Sequence, residues 1–147
     1  MKLYFAYGAN LNMSAMARRC PDAEPVSAFY LPGQRLTFSG VATIVPDESA
    51  VVPGALWRIS PRDEANLDVF EGFPDLYRKK NFRINGRKFM AYVMNETTEW
   101  PPNPGYVNTI RQGYLDWKLD TSTLDRAVNS VGYGRSYRDA QMLNQYC

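Results

Sequence analysis

The chain has 147 residues, 45% hydrophobic and 22% charged, which fits one soluble domain able to bury a core without staples. Its net charge of +2 gives no electrostatic footprint for nucleic acid, and no apolar run is long enough to span a membrane. There is no histidine, which excludes Ser-His and Cys-His pairs and imidazole zinc sites and leaves acid–base work to carboxylates, tyrosine, lysine or water.

Met1-Lys2 leads straight into a strand, so no leader segment is expected. Tyr4-Phe5-Ala6-Tyr7 is apolar and aromatic, as a short buried strand should be. Gly8 stops it, because glycine tolerates positive φ and close approach of a ligand. Asn10 and Asn12 are both good helix N-caps. Met13, Met16, Ala17 and Cys20 follow at helical spacing until Pro21. A strand, a glycine turn and a helix in that order gather free N–H groups at a positive helix end, which suits an anion. The competing reading is a tight turn with two aromatics in the core. Cys20 lies on the apolar stripe and Cys147 is the last residue, so no disulfide framework is expected and a reducing, cytoplasmic setting is favoured.

Residues 26–30 form the next expected strand, with a turn at Leu31-Pro32-Gly33 and a half-buried strand over 35–39. A small-residue segment covers 40–46, and Asp47-Glu48-Ser49 is expected as a loop. A strand over 51–59 follows, bent at Pro53-Gly54. Ser60, Pro61 and Asp63 announce a helix that ends at Glu71 before Gly72. Residues 77–84 and 88–94 flank Asn85-Gly86, a strong hairpin signal. After a Pro-rich loop over 96–105, Val107, Ile110, Tyr114 and Trp117 share one helical face. Asp120-Thr121 caps a short helix carrying Leu124, Val128 and Val131, which Gly132-Tyr133-Gly134 breaks. The tail from Arg135 is a loose end or a short docked helix. Short strands and a few helices without regular βαβ alternation argue for one α+β domain over 1–147, with a largely antiparallel or mixed, curved sheet.

Glu71 is the candidate acid–base group. It shares a helix face with Leu67 and sits at the helix C-terminus, where burial and the dipole both raise a carboxyl pKa. The plain alternative is a solvated glutamate at a fraying end. Tyr106 follows Pro101-Pro102-Asn103-Pro104-Gly105, a stiff approach that fixes where its hydroxyl points; alternatively it only caps the core. Cys20 without histidine is a core thiol. Asp63, Glu64 and Asp68 are expected as a solvated face rather than a metal site. Arg18-Arg19 and Arg78-Lys79-Lys80 are expected as solvated surface.

Together these segments resemble the γ-glutamylcyclotransferase (AIG2-like) family. The carrying motifs are Tyr7-Gly8-Ala9-Asn10-Leu11, Gly40-Val41-Ala42-Thr43-Ile44, Gly54-Ala55-Leu56-Trp57, Leu67-Asp68-Val69-Phe70-Glu71-Gly72 with Tyr77, and Pro101 to Tyr106. The likeness runs from about residue 4 to 119, and the tail shows no motif of the family. It implies a small mixed-strand, largely antiparallel β-barrel flanked by helices. It implies that Glu71 is the catalytic acid/base, that Tyr4, Phe5, Ala6, Tyr7, Gly8, Ala9 and Asn10 line the substrate site, and that Tyr106 lies beside it. The implied reaction closes a γ-glutamyl amino acid or amine to 5-oxoproline, with no metal and no cofactor, in a monomer or homodimer whose partner is a small molecule. Ala9 stands where the family commonly has Ser, which bears on substrate preference. A non-catalytic protein that sequesters a small metabolite in the same pocket is the alternative, and a plain interaction domain is a third.

Overall fold

Backbone hydrogen bonding in the computed structural model, which describes residues 1–132, builds a five-stranded mixed sheet of order β2-β3-β1-β5-β4. The central strand β1, Lys2–Ala6, runs antiparallel to β3, Val41–Ile59, with Ala6 opposite Ala55. It meets β5, Arg87–Met94, in parallel at Tyr4 and Met90. The outer strands are β2, Glu24–Ser39, and β4, Tyr77–Ile84. Asn85 and Gly86 take the positive φ that the β4–β5 hairpin turn requires.

Two expected breaks turn out to be bulges. The turn expected at Leu31-Pro32-Gly33 is a register shift inside β2, and the loop expected at Asp47-Glu48-Ser49 lies inside β3. Pro46 pairs with Gln34 and Val51 with Pro32, so residues 47–50 face Gly33 alone. A bulge interrupts the ladder and bends the strand without reversing it. The chain reverses only at Gly40, and four expected segments fuse into one long hairpin. The sheet is open rather than a closed barrel, but the outer part of that hairpin curls over β4 and β5. Met94 N donates to Thr43 Oγ1 at 3.0 Å, and the Tyr77 hydroxyl donates to Ala42 O at 2.6 Å.

Strand alternation divides the core. Phe5 packs with residues of α3, Pro104–Asp116, and α4, Ser122–Gly132. Tyr4 and Ala6 pack with Met16 and Cys20 beside α1, Met13–Arg19, and with Leu67 of α2, Pro61–Glu71. The chain beyond Gly132, including the expected break at Tyr133-Gly134, the tail from Arg135 and Cys147, lies outside the described residues.

Helix α3 meets the chain just after β1 at Gly113. A Cβ built there would stand 2.5 Å from Leu11 Cβ and 2.7 Å from Asn12 N. Backbone cannot yield as a flexible side chain can, so Gly113→Ala should cost about 1–3 kcal/mol. A thermal midpoint equal to that of the wild type would show that this contact does not set the helix position.

Candidate active site

Where β1 ends, a 3₁₀ turn over Ala9–Leu11 carries the chain into α1. Leu11 N and Asn12 N close that turn on Gly8 O and Ala9 O, so the N–H groups of Gly8, Ala9 and Asn10 precede the first intrahelical bonds. Gly8 has φ −120°, so its glycine is not required by left-handed backbone. Space favours it: an added Cβ would lie a tight 3.2 Å from Ala42 Cβ and in ordinary contact, 3.6 Å, with the Tyr106 hydroxyl. Asn12 caps α1 by accepting from Ala15 N at 2.9 Å. Asn10 does not cap. Its buried side chain donates to the Tyr4 hydroxyl at 3.0 Å and accepts from Arg19 Nη1 at 2.7 Å.

This turn forms one wall of a cavity of about 290 Å³, a size suited to a small metabolite. Its buried floor carries Tyr4, Tyr7, Tyr77 and Tyr92, with Gly8, Ala9, Asn10 and Ala42 beside them. Glu71 and Tyr106 complete the wall, and Phe70 and Leu76, 44% and 46% exposed, stand at its mouth. Phe5 and Ala6 are not among the lining residues. Phe5 is fully buried against Phe29 and Phe89, and Ala6 sits in the opposite core cluster.

Helix α2 delivers Glu71. Ser60 and Asp63 form a reciprocal capping box, and Leu67 anchors the inner face. Lys79 of β4 bridges Glu64 at 2.8 Å and Asp68 at 3.0 Å, and the Tyr92 hydroxyl donates to Asp68 Oδ1 at 2.6 Å. The acidic face expected in solvent is therefore a docking face, and Lys79 is a strut rather than free surface. Gly72, left-handed at φ 63°, ends the helix directly after Glu71.

Glu71 is half-buried and has no hydrogen-bond or ion-pair partner among the described residues. Burial lifts its carboxyl to about 7, opposed only by the charge of Arg19. Its own charge in turn helps hold Tyr4, Tyr7, Tyr77 and Tyr106 protonated, after burial, which is the larger cause at each. Cys20 is buried, its thiol pushed up to about 12, chiefly by burial.

Arg19 escaped the sequence reading. Arg18 points outward to Ser14 at 3.0 Å, whereas the Arg19 guanidinium lies 3.6 Å over the Phe70 ring and holds Asn10. Nothing in a two-residue basic run separates the two; helix phase and the position of α2 do. Tyr92 also gave no sequence signal, because alternating strand residues look alike until the other face is filled.

Residues 4–118 match the family described as gamma-glutamyl cyclotransferase, AIG2-like. The chain is 28% identical over 129 residues to a gamma-glutamylcyclotransferase of Mus musculus, covering 76% of this chain and 69% of that protein. A Bos taurus protein of the same name matches with the same identity and coverage. A solved structure titled gamma-glutamyl cyclotransferase superposes with a TM-score of 0.75 at 20% identity, over 99% of both chains.

The raised Glu71 carboxyl has a stability consequence. Unfolded, it titrates at its ordinary 4.5; folded, it keeps its proton to about 7. Between those values the folded state binds more protons, so its contribution is full below 4.5 and is lost as pH rises through 7. At 1.36 kcal/mol per unit the loss approaches about 3 kcal/mol. Glu71→Gln has no proton to lose, so its stability relative to wild type should rise by up to that amount across the window. Parallel melts at the two ends test this; a constant difference would place Glu71 in solvent.

Proposed function

The chain belongs to the gamma-glutamyl cyclotransferase, AIG2-like family, and from that premise we propose that it cyclises a γ-glutamyl amino acid or amine to 5-oxoproline. The observation that carries this reading is a carboxyl lifted to about 7, without a partner among the described residues, on the wall of a small tyrosine-lined cavity. The substrate supplies its own nucleophile. Its α-amine attacks its γ-carbonyl, a ring C–N bond forms, and the original amide C–N bond breaks. Glu71 takes the proton from the attacking nitrogen and returns it to the leaving amine. A base near neutrality is suited to both transfers. Neither step requires a metal or a cofactor.

Gly8, Ala9 and Asn10 edge the cavity, and their N–H groups would suit the substrate carboxylate or the developing oxyanion. Ala9 offers its N–H without a hydroxyl. The Tyr106 hydroxyl accepts from Ala42 N at 3.0 Å, which fixes the ring and leaves its proton for the ligand or Glu71. A panel of γ-glutamyl amino acids and amines, assayed for released 5-oxoproline, tests the reaction. Binding with every member recovered unchanged would instead support a sequestering protein.

Glu71→Gln should lower kcat about a hundredfold or more while leaving substrate affinity in place. With wild type, kcat/KM should rise with pH and level off above about 7, as the Glu71 carboxyl of the free enzyme loses its proton. A flat profile, or an active Gln variant, would remove Glu71 from the proton transfer. Tyr106→Phe deletes one bond to a charged group, about 1.5–3 kcal/mol, hence a roughly tenfold to hundredfold loss in kcat/KM. Unchanged kinetics would make Tyr106 a packing residue.

A further inference from the structure

Five tyrosine hydroxyls line the cavity, and each partner forces the direction of its hydrogen bond. Tyr7 meets the carbonyl of Tyr92 at 2.5 Å, and Tyr77 meets the carbonyl of Ala42 at 2.6 Å. A carbonyl only accepts, so both tyrosines have spent their protons. Tyr92 faces the Asp68 carboxylate at 2.6 Å, which also binds Lys79, so its proton is spent too. The other two are reversed. Tyr106 faces the N–H of Ala42, which only donates. Tyr4 faces the Asn10 side chain, and that amide has one possible orientation. Arg19 has no acceptor, so the amide oxygen must turn to Arg19 and the NH₂ to Tyr4. Tyr4 and Tyr106 thus use their oxygens as acceptors and keep their protons. Among the described residues neither hydroxyl has an acceptor for that proton.

We propose that Tyr4 contacts the substrate as a hydrogen-bond donor to an anionic oxygen of the γ-glutamyl group, with its proton directed into the cavity by Arg19 acting through Asn10. This rests on the cyclotransferase reading, in which the resemblance already sets Tyr4 in the substrate site; it adds the donor direction of the Tyr4 hydroxyl and the residues that fix it. Tyr4 is the contact. Arg19 is a positioning residue: it does not line the cavity, and its stacking on Phe70 ties the Tyr4 bond to the end of α2 beside Glu71. The result is a pair of hydroxyl donors, Tyr4 and Tyr106, approaching one ligand from β1 and from α3.

Reversing the bond tests this more sharply than deleting it. Asn10→Asp keeps the shape and the acceptor for Arg19 but replaces the donor facing Tyr4 with an acceptor. The Tyr4 hydroxyl should then turn its proton to the new carboxylate and withdraw it from the cavity. Wild type, Tyr4→Phe, Asn10→Asp and the double variant are assayed for 5-oxoproline release, with melts alongside. The kcat/KM values are compared on the alkaline plateau, where Glu71 is ionised in each, so a displaced acid limb does not enter. Each single variant should lose about tenfold or more. The double variant should lose no more than the worse single one, because both act on one donor. The Asn10→Asp melt should not fall below that of wild type.

Wild-type kinetics in either single variant, or losses that multiply in the double, would overturn the inference while the cyclotransferase reading stands. A wild type that releases no 5-oxoproline from any panel member would remove that reading, and this inference with it.

Discussion

Both backbone polar groups of Ala42 are held by tyrosines from different parts of the chain. Its N–H donates to Tyr106 of α3, and its carbonyl accepts from Tyr77 of β4. Those two bonds pin the curled end of the β2–β3 hairpin across the sheet, directly against Gly8. The wall formed by Gly8, Ala9 and Asn10, the tyrosine floor and the position of Tyr106 all depend on that placement. A hydrogen bond whose partners are both buried is expensive to leave unmade, so the arrangement behaves as a unit.

The same burial sets the chemistry. Glu71 stands among hydroxyls, the Arg19 guanidinium that acts on it is held by Asn10 and Phe70, and the carboxyl keeps its proton to about 7. Ion pairing would have held it low, well outside the neutral range. The fold accepts a half-buried acid with no partner among the described residues at the end of α2 because the rest of that helix is strongly fixed. Its cap, the Lys79 bridges and the Tyr92–Asp68 bond lie one to three turns upstream of the acid. The anchoring contacts and the raised carboxyl are thus divided along one helix.

Hydrogen-bond direction adds a second layer of order. Three pocket hydroxyls are spent on the framework and two have no acceptor among the described residues, although all five are tyrosines with buried or half-buried rings. Residue type alone does not distinguish them. What distinguishes them is whether the neighbour can only donate or only accept.

Much of this was legible in the sequence because the signals are local. Ser60 with Asp63, Gly72 after Glu71, Asn85-Gly86, and the aromatic run ended by Gly8 each act within a few residues, and each appears where expected. The ordered motifs pointed to the family and to Glu71, Tyr106 and the residues around Gly8. Long-range pairing was not legible. A strand that bulges at Gly33 and a turn look alike until the partner strand shows that the ladder resumes. Asn10 and Asn12 are equally good caps by type, and only the geometry of the 3₁₀ turn gives the cap to Asn12 and sends Asn10 to Tyr4 and Arg19. Phe5 belongs to the motif but packs on the other face of the strand from Tyr4, and Ala6, in the same cluster as Tyr4, Tyr77 and Tyr92, is buried without reaching the cavity; only the packed helices decide what each face meets. The sequence by itself determined the local elements and the chemical groups available. Tertiary structure decided which of those groups are buried together, and so which carboxyl titrates near neutrality and which hydroxyls keep a proton to give.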